Sequence, residues 1–176
     1  MNSILQCIFA TAPLTKYLLE DFKSTRKVRK QPLTLSYQDL LLQARSGKGQ
    51  ITPQDLKSQI SRVAKQFSGY GQQDAQEFLR FLLDGMHNEL NRVESKPKYQ
   101  EINCEKKTPD EQSEIWANYF HERDNSIITD LFEGQLCGNI QCRKCGHQSL
   151  SFDSFMDLSV SIPRNAVRIT GYIDVQ

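Results

Sequence analysis

The sequence predicts an α+β fold, helical over its first two-thirds and β over its last third. Up to about residue 130, apolar side chains recur at i, i+3, i+4 and i+7 in successive stretches, and beyond Asp130 the period falls to two. There is no internal repeat. With 176 residues, 38% of them hydrophobic and 24% charged, the chain has the make-up of one ordinary soluble domain. Its net charge of +1 gives no whole-chain field for nucleic acid or an anionic membrane, so partners must be recognised locally. No apolar run approaches the roughly 18 residues that cross a bilayer, and the first twenty residues lack a basic n-region and a cleavable small-residue site. The expectation is an intracellular protein, cytoplasmic or nuclear. Cys7, Cys104, Cys137, Cys142 and Cys145 are odd in number and unevenly spaced, which favours thiols or metal ligands over a disulfide framework.

Taken in order, Asn2 to Phe9 reads as a helix and Thr11-Ala12-Pro13 as a break, followed by a short helical piece from Leu14 to Phe22. Lys23 to Pro32, with Arg26, Lys27, Arg29 and Lys30, is expected to be a solvated basic linker. Tyr37, Leu40, Leu41 and Ala44 keep helical spacing until Gly47-Lys48-Gly49 stops them. Lys48 lacks the upstream glycine and strand of a phosphate-binding loop. Thr52 is the expected N-cap of the next helix, with Pro53 at its first position and Leu56, Ile60, Val63 and Phe67 on one face. The strongest helical signal runs through Ala75, Phe78, Leu79, Leu82, Leu83, Met86, Leu90 and Val93, despite a Gly85 that costs about 1 kcal/mol relative to Ala. Glu94 to Lys107 is a polar surface excursion. Thr108 and Glu111 form a capping box ahead of Ile115, Trp116, Tyr119 and Phe120. Strands are expected over Phe132 to Ile140 and Leu150 to Ile162, joined by a cysteine-rich turn. A two-stranded ribbon is marginal in water, so this last third is expected to be poorly ordered in isolation.

Two stretches carry chemistry. In GQQDAQEFLRFLLDG, polar groups crowd the first turn of the long helix. Capping needs only one or two of them, so the turn reads either as a well-capped helix or as a docking surface for a basic or extended peptide. Cys142-Arg143-Lys144-Cys145-Gly146 has the spacing with which two thiolates grip one Zn²⁺ from a tight turn, half of a structural site. Cys137 and His147 are the only local candidates to complete it. A zinc-ribbon nucleic-acid module would need a second knuckle and a basic stripe, and only Arg143 and Lys144 are present. Cys7 is expected in the core beside Ile4, Leu5 and Ile8, and His87, His121 and His147 as surface or structural residues.

MNSILQC, GYGQQDAQEFLRFLLDGMHNELNRV and ITDLFEGQLCGNIQCRKCGHQSLSFDSFMDLSVSIP, in this order, resemble the catalytic domain of the ubiquitin-specific proteases, the ubiquitin carboxyl-terminal hydrolases of peptidase family C19. The resemblance implies a papain-like cysteine protease fold of thumb, palm and fingers, which hydrolyses the bond after the C-terminal glycine of ubiquitin. It implies that residues 1–131 are the helical thumb part and that residues 132–176 begin the β fingers and palm, with one zinc knuckle, in a single incomplete catalytic domain. Gln72, Gln73, Asp74, Gln76 and Glu77 would line the channel for the ubiquitin tail. Cys142 and Cys145 would supply two of four ligands to a structural Zn²⁺. The family's Asn-Thr-Cys-Phe motif ends just before the residue matching Met1, and its histidine lies beyond Tyr172 to Gln176. No catalytic residue is therefore expected in this chain, and the chain alone is expected to be inactive. The expected partners are ubiquitin or ubiquitinated proteins, with no nucleic acid and no membrane. The alternative is a non-catalytic ubiquitin-tail binder or scaffold.

Overall fold

In the computed structural model, residues 1–22, 31–47, 49–102, 104 and 107–161 are described. Of the expected basic linker, Lys23 to Pro32, residues 23–30 lie outside the described residues, as do Lys48, Ile162 and the stretch Tyr172 to Gln176, while Gln31 is buried and Pro32 opens a helix rather than forming solvated linker. Seven α-helices precede a β-ribbon among the described residues, an α+β arrangement as the periodicities require. None of these helices is long and apolar enough to cross a membrane.

Helix α1 (Asn2–Phe9) buries Leu5 and Ile8. Cys7 is exposed rather than in the core. It sits two residues past Leu5, about 200° round the helix at roughly 100° per residue, which turns it away from the buried arc. Helix α2 (Ala12–Lys16) begins before the expected Leu14, because Pro13 fits the donor-free first turn, and runs into a π-helical turn over Tyr17–Asp21. Leu14, Leu18 and Phe22 are fully buried there. Helix α3 (Pro32–Ser46) ends at Gly47, which takes the left-handed conformation at φ 64.

Helix α4 (Gln54–Val63) starts one residue later than expected. Pro53 occupies the cap position with no side-chain hydrogen bond, so Thr52 does not cap. Val63 is 68% exposed because the helix ends on it. Ala64 leaves helical geometry, and Ala64 and Phe67 fill the core instead, Phe67 from a 3-10 turn over Lys65–Ser68. Helix α5 (Ala75–Leu90) buries Phe78, Leu82, Leu83, Met86 and Leu90, while Ala75 in its first turn is exposed. Helix α6 (Pro109–Arg123) has the Thr108–Glu111 capping box, but none of its residues is fully buried.

Helix α7 (Ile127–Phe132) has no counterpart in the sequence reading, which started a strand at Phe132. Its cap is a second reciprocal box: Ser126 accepts from the α7 backbone while the Ser126 N–H donates to Thr129 Oγ1. Strands β1 (Gly134–Gln141) and β2 (Gln148–Phe155) pair antiparallel from Gly134↔Phe155 to Gln141↔Gln148. The strand stops at Phe155, so the alternation expected to continue through Leu158 and Val160 is not strand, and both side chains are exposed. Phe152 is the buried residue of the ribbon.

Helix α5 lies at the centre, against α1, α3, α4 and α7. A Cβ on Gly85 would lie 2.3 Å from Leu33 Cδ2, so the glycine lets α3 approach. One turn on, the Glu89 carboxylate accepts from the Leu33 and Thr34 N–H groups (3.0 and 2.8 Å) at the start of α3, which has no cap from its own N-cap side chain. Helix α7 is held through buried His87. The Ile128 and Thr129 N–H groups donate to Ser126 Oγ (3.1 and 3.3 Å), so the Ser126 hydroxyl donates to His87 Nδ1 (2.8 Å) and the ring carries its proton on Nε2, towards Asp124 Oδ1 (3.4 Å). These are the residue types of a hydrolytic triad, but Ser126 is 0% exposed and spent as a helix cap. Burial alone would raise the Asp124 carboxyl. The Lys96 ammonium at 2.7 Å and the His87 ring outweigh it and hold the carboxyl below its ordinary value.

Two outcomes follow from this packing. Gly85→Ala should gain the helix propensity of alanine yet lose more to overpacking against Leu33, for a net loss of up to about 2 kcal/mol in urea unfolding. Leu33→Ala should then cost less in the Gly85→Ala background than alone. Because the Asp124 carboxyl is held low in the folded chain, its contribution is present at neutral pH and lost as pH falls through the folded value. Below about pH 4 the wild-type chain should therefore lose stability more steeply than Asp124→Asn, as measured by urea unfolding at stepped pH.

Candidate functional site

The five residues of the polar turn lie together at the N-terminus of α5, all exposed. Asp74 is the N-cap in extended geometry, and its Oδ1 alone accepts both cap bonds, from the Gln76 N–H (2.7 Å) and the Glu77 N–H (3.1 Å). Asp74 Oδ2 has no partner among the described residues. Glu77 Oε1 accepts from Gln66 Nε2 at 3.1 Å. Gln76 Nε2 donates to Asp157 Oδ2 in the segment after β2, and Arg80 Nε lies 3.6 Å from Asp157 Oδ1. Gln72 and Gln73 make no hydrogen bond among the described residues.

Gln72, Gln73 and Asp74 border a cleft of about 430 Å³ whose apolar lining comes from Ile60, Phe67 and Phe78, with Met1 at the start of α1 also on its rim. Phe67 packs edge-on against Phe78 at 5.6 Å, which ties the 3-10 turn to the first full turn of α5. On the other side of Asp74 a second cleft, about 380 Å³, is lined by Gln76, Glu77, Arg80 and Asp84. Asp74 borders both, so it stands on the ridge between them. An acceptor-rich ridge flanked by an apolar cleft suits an extended peptide carrying N–H donors and cations.

Sequence reasoning missed three residues here. Tyr70 is 91% exposed, with Lys57 Nζ 3.8 Å from its ring centroid. Gln66 and Asp157 hold Glu77 and Gln76. Asp157 is 81 positions from its partner, and no local pattern signals such a contact.

The knuckle sits at the far end of the ribbon. The Cys142 N–H donates to His147 O (2.8 Å), the Gly146 N–H donates to Cys142 O (2.9 Å), and Gly146 takes φ 72, a conformation that favours glycine. The backbone N–H of Cys145, then that of Lys144 and the Cys145 side chain, hold the exposed Cys142 thiol below its ordinary value. Two soft thiols at C-x-x-C spacing in a tight turn fit half of a zinc site. Among the described residues no group of three or more His, Cys, Asp or Glu side chains could hold a metal ion, and Cys137 lies along β1 opposite Phe152.

Among the described residues two of the histidines have other partners. His87 is engaged by Ser126 and Asp124, and His121 Nε2 by Asn125 at 2.7 Å. Among the described residues no cysteine is hydrogen-bonded to a histidine ring.

A family model described as "Ubiquitin carboxyl-terminal hydrolase" matches residues 1–163. Ubiquitin carboxyl-terminal hydrolase 9 of Arabidopsis thaliana is 40% identical over 177 residues, covering 96% of this chain and 19% of the relative. Ubiquitin carboxyl-terminal hydrolase 4 of Bos taurus is 40% identical over 178 residues, and hydrolase 15 of Rattus norvegicus 40% over 177, each covering 96% of this chain and 18% of the relative. The chain thus spans about a fifth of the length of the curated relatives it matches.

Proposed function

The chain belongs to the ubiquitin carboxyl-terminal hydrolase family, and from that premise we propose that it forms the helical part of a ubiquitin-specific cysteine protease whose α5 N-terminus receives the C-terminal tail of ubiquitin. The observation that carries this reading is the convergence of Gln72, Gln73 and Asp74 on one cleft with the start of α1. Asp74 Oδ2 and the free amides offer acceptors and donors to an extended, basic tail, and Gln76 and Glu77 border the adjoining cleft. In the complete protease a thiolate attacks the carbonyl of the last ubiquitin residue, a histidine moves the proton, and backbone and amide donors stabilise the oxyanion. The partners are ubiquitin or ubiquitinated proteins, met in the cytoplasm or nucleus.

By themselves these 176 residues bind the tail without cleaving after it. The absence of a cysteine–histidine pair among the described residues supports this second reading, a non-catalytic tail binder or scaffold. NMR titration of the chain with ubiquitin tests both. Asp74→Asn keeps a good N-cap while removing the charge, so affinity should fall about two- to fivefold, the scale of an exposed ion pair, with α5 intact. Shifts confined to other surfaces and indifferent to Asp74→Asn would contradict the site. Thiol-dependent turnover of a ubiquitin C-terminal fluorogenic amide, abolished by Cys7→Ser, would overturn the lack of activity.

We also propose that Cys142 and Cys145 supply two ligands to a structural Zn²⁺, supported by their spacing on a tight turn closed by the Gly146 N–H to Cys142 O bond. Titration with Co²⁺ should give a thiolate charge-transfer band that Cys142→Ser or Cys145→Ser removes. A band unchanged in both variants would place the metal elsewhere.

A further inference from the structure

Asp157 joins the segment after β2 to the polar turn of α5, using both carboxylate oxygens: Oδ2 accepts from Gln76 Nε2, and Oδ1 faces Arg80 Nε at 3.6 Å. The Asp157 side chain is 21% exposed, against 65% for Arg80, so the carboxylate is the better-fixed end of the pair. Gln76, Arg80 and Asp157 line a common cleft of about 440 Å³, and Gln76 also borders the cleft beside Asp74.

A carboxylate with cations and amide N–H groups around it accepts and does not donate, whereas a glutamine amide can turn either end towards a neighbour. Asp157 therefore fixes which end it meets. The NH₂ of Gln76 is held towards Asp157, and Oε1 is the end left to bond elsewhere. We infer that Asp157 is a positioning residue for peptide recognition at the start of α5. It orients the Gln76 amide so that the turn presents a carbonyl acceptor to a donor on the incoming chain, a peptide N–H or a cationic side chain. The inference rests on the proposed role of Gln76 in binding the ubiquitin tail. It adds a residue from outside the helix to that site, so the ribbon's exit segment and the helical part together determine its hydrogen-bonding polarity. Arg80 keeps Asp157 aligned by holding the oxygen that Gln76 does not use.

A double-mutant cycle in the full 176-residue chain tests this, with ubiquitin as the titrant and NMR as the readout. Asp157→Asn is isosteric but can accept or donate, so the Gln76 amide loses its fixed orientation and must be ordered on binding. Affinity should fall roughly two- to tenfold, the scale of immobilising one long side chain. In the Gln76→Ala background the same substitution should have no further effect. The Gln76 side-chain NH₂ resonances should move in Asp157→Asn while α5 backbone shifts beyond its first turn stay in place, which a merely structural role would not produce. Asp157→Glu, still acceptor-only, should recover part of the affinity. If Asp157→Asn weakens binding equally with and without Gln76, Asp157 acts through another route and the inference is overturned. If Gln76→Ala weakens binding and Asp157→Asn does not, the inference fails while the tail-binding reading stands. If Gln76→Ala has no effect, that reading fails at Gln76 and the inference falls with it.

Discussion

The close approach of α5 to α3 is the constraint on which the helical part depends. Two residues one turn apart on α5 meet the start of α3. Gly85 makes room for Leu33, and Glu89 accepts from the Leu33 and Thr34 N–H groups that α3 leaves without an internal partner. Gln31 completes the clasp by donating from Nε2 to the Glu89 backbone carbonyl at 2.9 Å. A hydrogen bond to a charged acceptor contributes about 1.5–3 kcal/mol, whereas a helical glycine costs about 1 kcal/mol relative to alanine. The joint therefore gains more than its glycine loses. A residue that sequence propensity scores as a weak point of the helix is where the Leu33 side chain comes too close for any Cβ.

From this clasp the rest of the arrangement follows by the period of the helix. With Gly85 and Glu89 committed to α3, Phe78, Leu82, Leu83, Met86 and Leu90 are left to fill the core with α1 and α4, and His87 turns to the Ser126 cap of α7. The same phase leaves Gln76, Glu77 and Arg80 outward-facing in the first two turns. The polar turn is thus aimed by packing two and three turns away. Disturbance of the α3 contact would reach this turn through the rigid helix.

The long-range part of this was not legible in the sequence, and the local part largely was. The helical phase of α5, the Thr108–Glu111 box and the glycine stop after α3 are short-range patterns, and each forms, whereas the change of period expected beyond Asp130 comes only after Phe132. Helix α7 escaped because Ile127, Ile128, Leu131 and Phe132 form too short a run to display a helical period, while its Ser126 and Thr129 box spans only four residues. Glu89 was unreadable because it caps a helix 55 positions away, and Asp157 because its partners lie across the fold. Cys7 was misplaced by adjacency: its neighbours Leu5 and Ile8 are buried, but two residues from Leu5 is the far side of a helix. At the site, the cluster from Gln72 to Glu77 was visible as an excess of polar groups, whereas the atoms each one has free could be assigned only from geometry.

That assignment makes a well-capped helix and the proposed docking surface compatible. Asp74 spends a single oxygen, Oδ1, on both cap bonds, so its second oxygen can accept from a ligand without releasing the helix. Capping and recognition draw on different atoms of one carboxylate. The Glu77–Gln66 contact is an exposed pair, and such pairs contribute little to stability, so a ligand cation could displace Gln66 at small cost. Gln76 is in the opposite position, because Asp157 takes its donor end and leaves its acceptor end. The turn therefore presents acceptors from three side chains whose orientations are set in advance by backbone, side-chain and cross-fold bonds respectively. Ordering costs that would otherwise fall on binding are met in folding, and on this preorganisation the proposed recognition of an extended peptide rests.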